Sequence, residues 1–275
     1  MVIIYICGDV MVMQSVKPRN SDSPARVAQQ AFTPQLATGL QALFRQYRPQ
    51  FNDILLLNKP PPAVALTLDE WRKPAIFTSL LSAFSDHAYR HYPYQQPNQG
   101  LLKTLWLQWY TGMLIPPLMM SLLLEKRAPS LNPGLIRAQF NENGRLSRLW
   151  MHTIQDVHLT RLSPVGRMQA LISEVLLPII KPVFPTDSAD RTRALGNSGY
   201  LINSFLDELH GLINQQQLAE IRHGCFLEEY GHDGRANPLF GTLRLQHGQL
   251  IRSHCCQQYQ LPNTSACHGC VKNKA

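Results

Sequence analysis

Residues 98–124 form the most apolar helical stretch of the chain, and they constrain its fold more than any other segment. Leu101, Leu102, Leu105, Trp106, Trp109, Met113 and Leu114 recur at helical spacing, and the run continues to Leu124. The apolar surface goes most of the way round, so the helix needs neighbours on nearly every side. We read it as a buried core helix whose aromatics belong to the packing rather than to a cofactor site. Pro116-Pro117 is expected to break or kink it. The remaining segments must wrap around it.

There is enough chain to do so. At 275 residues, one large domain or two modest ones bury a sizeable core without disulfides or metal. Charged residues are 16% of the sequence, below a typical ~25%, and the many prolines imply frequent breaks. Residues 1–24 read as an N-terminal extension. Met1 to Met13 is apolar but interrupted by Gly8 and Asp9. It is too short to span a bilayer, so no transmembrane segment is expected there. Met11 and Met13 offer alternative starts.

Residues 25–48 suit one helix or two, with Pro34 marking a start. Asn58-Lys59-Pro60-Pro61-Pro62 is a stiff connector. Thr67 and Glu70 have capping-box spacing ahead of a helix carrying Trp71, Ile76, Leu80, Leu81 and Phe84, ending near His91. A loop and candidate sub-boundary follow at 93–97. Past the core helix, Asn143-Gly144 between alternating runs at 138–150 signals a hairpin. Further helices are expected at 166–184, 191–214 and 215–230. A second hairpin at 242–252 turns at His247-Gly248 and leads into Cys255. The fold class is therefore α+β, a mostly helical body with one or two small antiparallel hairpins. Residues 25–241 make the body, and 242–275 the hairpin and a terminal segment. No Gly-rich phosphate loop or G-x-G-x-x-G follows a strand, so no built-in nucleotide domain is expected.

That terminal segment holds Cys255, Cys256, Cys267 and Cys270, four of the six cysteines. In a reducing cytosol, clustered thiols favour metal over disulfide. Only Cys267 and Cys270 have the C-x2-C spacing that zinc ribbons use twice. Cys255 and Cys256 are adjacent, and neighbours on a strand point to opposite faces. Both reach one site only if the backbone turns there. A two-iron cluster, larger than one zinc ion and with two metals to satisfy, suits the pair better, although zinc remains open on geometry. Cys7 and Cys225 read as ordinary buried thiols. Arg252, His254, Tyr259 and His268 are candidates for the surroundings of the site, with no ligand role needed for either histidine.

The net charge is +8, but the basic residues are scattered, so nucleic acid is not an expected partner. Residues 234–275 contain no Asp or Glu, while Arg235, Arg244, Arg252, Lys272 and Lys274 are present. Such a surface suits an anionic cluster and an acidic docking partner.

The C-C-x10-C-x2-C pattern resembles the FhuF family of ferric-siderophore reductases. The likeness includes Asn237-Pro238-Leu239-Phe240, Arg252, Tyr259 and Leu261-Pro262. Looser likeness covers Trp106-Leu107-Gln108-Trp109-Tyr110, Leu114-Ile115-Pro116-Pro117-Leu118 and Leu195-Gly196-Asn197-Ser198-Gly199-Tyr200. It is tight over 237–270, loose over 100–230 and slight over 1–60. The resemblance implies a cytoplasmic [2Fe–2S] protein with Cys255, Cys256, Cys267 and Cys270 as ligands. It implies one-electron reduction of iron in a hydroxamate siderophore, with a ferredoxin or a flavin-containing siderophore-interacting reductase as electron donor. Competing readings are a non-catalytic zinc- or cluster-bearing sensor, and a transferase like those of siderophore biosynthesis.

Overall fold

The computed structural model describes residues 3–6, 9–12, 35–266 and 270. The expectations for Cys7, for residues 15–24 and for Pro34 as a helix start lie outside the described residues. β1 (Ile3–Ile6) and β2 (Asp9–Val12) pair antiparallel within the N-terminal extension. α1 (Leu36–Tyr47) buries Leu36, Leu40 and Phe44, a single stripe at four-residue spacing. The single turn α2 (Phe51–Ile54) leads into β3 (Leu55–Leu57).

Beyond the proline connector, β4 (Leu66–Thr67) runs directly into α3 (Leu68–Trp71). The expected capping box is formed. Thr67 Oγ1 accepts from the Glu70 amide at 3.3 Å, and Glu70 Oε2 accepts from the Thr67 amide at 2.7 Å. The helix does not continue to His91 in one piece. Pro74 disfavours helical backbone at the residue before it, and Lys73 is extended at ψ 134°. α4 (Pro74–Tyr89) therefore starts afresh.

α5 (Gln99–Leu124) is the expected core helix, capped by Asn98, whose side chain accepts from the Leu101 amide. Pro116 and Pro117 lie inside it without ending it. Every residue from Tyr110 to Leu122 is buried, so packing outweighs the two hydrogen bonds the prolines forgo. By length and composition α5 is able to cross a membrane, but 78% of its apolar window is buried inside the protein. That is the signature of a core helix rather than a lipid-facing one.

The last turn of α5 contains no basic residue, and the cap comes from elsewhere. Arg167 Nη1 donates to the carbonyls of Leu122 (2.9 Å) and Glu125 (3.0 Å), and its Nη2 to those of Lys126 (3.0 Å) and Thr160 (2.6 Å). Helix ends leave carbonyls unpaired and favour positive charge. Replacing Arg167 with methionine, which keeps the stem but not these bonds, is expected to cost about 2–4 kcal/mol. Chemical denaturation against wild type measures it, and an unchanged midpoint would refute the capping role.

β5 (Ile136–Phe140) and β6 (Leu146–Met151) form the first expected hairpin. It is not isolated. β3 joins β6 in parallel and β4 joins β5 antiparallel, giving a four-stranded sheet in the order β3-β6-β5-β4. Trp106 Nε1 donates to the Gly144 carbonyl at 2.8 Å and Trp109 Nε1 to the Leu146 carbonyl at 3.1 Å, so the core helix holds the hairpin.

α6 (Val157–Arg161) and α7 (Pro164–Leu171) follow. A π-turn at Ile172–Leu176 then leads into α8 (Leu177–Val183). α9 (Ala189–Glu208) is one continuous helix packed along α5. α10 (Gln215–Arg222) ends in a second π-turn at His223–Leu227. β7 (Leu243–Gln246) and β8 (Gln249–Arg252) make the second hairpin. His247 and Gly248 have φ of 50° and 76°, the left-handed pair that a two-residue turn of this kind needs. One apolar core runs from Leu36 to Leu261. The architecture is α+β, as expected.

Candidate metal centre

The β7–β8 hairpin rests on α9, and a glycine permits the approach. A Cβ on Gly199 would lie 2.7 Å from Thr242 Oγ1. Ser253 closes the base of the hairpin, donating from its amide to the Thr242 carbonyl (3.0 Å) and from Oγ to the Gly241 carbonyl (2.7 Å). The chain then enters Cys255-Cys256.

The backbone turns directly after the adjacent pair, as a shared site for both would require. Gln257 has φ 60°, left-handed, and its amide donates to Cys255 Sγ at 3.4 Å. A short turn at Gln258–Gln260 follows, and Leu261 anchors it in the core. Thr264 Oγ1 donates to the carbonyls of Gln258 and Leu261, at 2.5 and 2.8 Å, folding the loop back on itself.

This return brings Cys270 to Cys255, with the two Sγ atoms 3.5 Å apart. A disulfide would place them at about 2.05 Å, and no disulfide joins the described cysteines. Cys256 and Cys270 are each 2% exposed, and Cys255 is half-buried. Burial pushes the Cys255 thiol above its ordinary range. The Gln257 amide opposes this, and the neighbouring Cys270 and Cys256 sulfurs add to it. Such thiols stay protonated until a metal displaces the protons.

Cys267 and His268 lie outside the described residues. His254 is exposed and Tyr259 half-buried. Cys225 sits in the core within the second π-turn, its thiol pushed up to about 12 by burial first and by Glu228 second. That is the inert, buried thiol expected of it.

Arg252 is the candidate whose surroundings are most unusual. It is 7% exposed. Its guanidinium carbon stands 3.7 Å from the centre of the Tyr200 ring, and Nη1 donates to Asn197 Oδ1 at 3.4 Å. Its Nε is buried without a hydrogen-bond partner, and so is Nδ2 of Asn197. Among the described residues no carboxylate pairs with it. Arg252 was legible as a candidate, but its partners were not. Asn197 and Tyr200 lie more than fifty residues upstream, and their only signal was the helix segment 195–200 that resembled the same family.

These residues fit a metal group. Two thiolates on one tetrahedral metal with bonds near 2.3 Å stand about 3.8 Å apart. Cys255 and Cys270 are close to that spacing already. The Gln257 amide already donates to the Cys255 sulfur, as it would to a thiolate bound to metal. The buried guanidinium calls for a nearby anion, which a thiolate-bound cluster is. Among the described residues no three His, Cys, Asp or Glu side chains converge on one ion. Cys267, the fourth cysteine of the sequence pattern, lies outside the described residues.

Comparisons with known proteins bear on what such a centre serves. A family model described as "Ferric iron reductase FhuF-like transporter" matches residues 104–250, ending just ahead of the cysteines. An Escherichia coli (strain K12) protein named "Ferric siderophore reductase" is 36% identical over 238 residues, spanning 86% of this chain and 91% of its own.

Proposed function

Because the chain belongs to the FhuF-like ferric iron reductase family, we propose that it reduces the ferric iron of a hydroxamate siderophore through a [2Fe–2S] cluster. Cys255, Cys256, Cys267 and Cys270 would hold the cluster. The observation that carries this reading is the pairing of Cys255 and Cys270 at 3.5 Å beside the buried Cys256. A cluster with four thiolates supplies single electrons at potentials reaching roughly −400 mV.

The chemistry is consistent with the substrate named for the relative. Hydroxamate oxygens are hard donors, and they hold Fe(III) far more tightly than Fe(II). One electron added to the chelated iron therefore loosens it, and the freed oxygens take up protons from water. A one-electron exchange needs no hydride site, in keeping with the lack of a dinucleotide motif in the sequence.

The residues of the chain have three tasks in this scheme. The hairpin and α9 fix where Cys255 enters the centre. The Gln257 amide stabilises the charge on its sulfur. The acid-free stretch from Gly234 onward, with Arg235 and Arg244 exposed on it, offers a surface for an acidic ferredoxin or a flavin-containing reductase that returns the electron. The same reading puts the protein in the cytoplasm, where four ligating thiols stay reduced.

Two measurements test the proposal in order. Protein purified without oxygen should be red-brown and hold about two irons and two sulfides per chain. Colourless protein with a single zinc would sink the cluster. The reduced protein should then release Fe(II) from a ferric hydroxamate to a ferrous chelator. No ferrous iron would refute the reductase role and leave the cluster standing.

A further inference from the structure

We infer that Arg252 is a positioning residue of the centre. Held by Asn197 and Tyr200, it supplies an uncompensated positive charge that makes the cysteine-bound cluster easier to reduce. The inference rests on the cluster reading above and goes beyond it, because it assigns a redox role to the link between α9 and the cysteine segment.

A guanidinium as deeply buried as that of Arg252 is costly without an anion beside it. The Tyr200 ring and a single oxygen of Asn197 meet it only in part. Its Nε remains unpartnered. Residues 234–275 contain no Asp or Glu, so no side-chain carboxylate of its own segment neutralises it. What that segment does contain is cysteine. Cys255 is three residues further on, which limits the Cα separation to about 10 Å. Screening by salt is weak for a buried charge at this range.

A two-iron, all-thiolate cluster is anionic, and it gains a further negative charge on reduction. A nearby cation therefore favours the reduced form over the oxidised one. The pairing with Asn197 matters for the same reason. An amide oxygen orients the guanidinium without cancelling its charge, as a carboxylate would. Cation–π contact with Tyr200 holds the plane in place at little cost in charge.

The test uses full-length protein purified without oxygen, in four forms: wild type, Arg252→Lys, Arg252→Gln and Asn197→Asp. Iron and sulfide are measured first, and a redox titration then follows the visible absorption of the loaded fraction alone. At one fixed poise, the reduced-to-oxidised ratio should fall at least ~3-fold in Arg252→Gln and in Asn197→Asp, and stay within about 2-fold in Arg252→Lys. Asn197→Asp is the decisive form, since it keeps the arginine and removes only the net charge. A purely structural role predicts lower loading in Arg252→Gln but an unchanged ratio in the loaded fraction. An unchanged ratio in Asn197→Asp would overturn the inference with the cluster reading intact. Wild type without iron and sulfide would overturn both. If Arg252→Gln fails to fold, the other two variants still decide.

Discussion

Replacing Cys256 with serine is expected to remove bound iron and sulfide and to abolish siderophore reduction, while the helical body stays folded. Cys256 is 2% exposed, directly follows Cys255 and precedes the left-handed turn at Gln257. Loss of a residue that merely supports a ligand typically costs 10–100-fold, so losing a ligand should cost at least ~100-fold in reduction. The body does not depend on it. Its apolar core runs through α1, α5, α7 and α9 and does not include Cys256 or Cys270. Far-UV circular dichroism should therefore be unchanged, while visible absorption disappears. Cys225→Ser is the natural comparison, as that thiol is fully buried in the core. It should keep iron and sulfide and lose about 1–3 kcal/mol of stability through a badly placed hydroxyl. Full iron content in the Cys256 variant would refute its ligand role. Global unfolding would show that the segment and the body are one cooperative unit.

Features carried by local chemistry were legible in the sequence, and features that depend on distant partners were not. The capping box at Thr67, the Gln99–Leu124 core helix and both hairpin turns follow from residues within a few positions of each other. β3 and β4 are three and two residues long. They are strands only because β6 and β5 lie beside them, and so short a run has no period to detect. The same limit hid the cap on α5, since Arg167 reaches its carbonyls from across a loop and a further helix. At the candidate metal centre the cysteine pattern marked the candidate ligands, and the structure brings Cys255 and Cys270 together. The turn at Gln257 is local and a shared site for the adjacent pair required it, but glutamine carries no left-handed signal. The seat of Arg252 between Asn197 and Tyr200 is tertiary. One error was avoidable from sequence. Pro74 bars helix at Lys73, so a break between α3 and α4 was already written there.

Replacing Gly144 with alanine should destabilise the protein by about 2–5 kcal/mol. Two effects act together. Gly144 has φ 72°, where an added Cβ is strained. The hairpin also packs so closely on α4 that this Cβ would overlap the Leu80 carbonyl oxygen, and would lie 2.9 Å from its carbon and 3.2 Å from the Phe84 amide nitrogen. All of these are helix backbone atoms and have no rotamer by which to move aside. The hairpin would have to lift from α4, which would stretch the 2.8 Å bond from Trp106 Nε1 to the Gly144 carbonyl. Gly248 separates the two effects. Its φ is 76°, nearly the same, yet nothing lies within 4 Å of an added Cβ. Gly248→Ala should therefore cost only about 1 kcal/mol, the conformational part alone. Thermal unfolding of the two variants side by side measures the difference, at roughly 2–4 °C per kcal/mol for a chain of this size. Equal losses would mean that the turn relaxes away from α4 and that the contact with Leu80 contributes nothing.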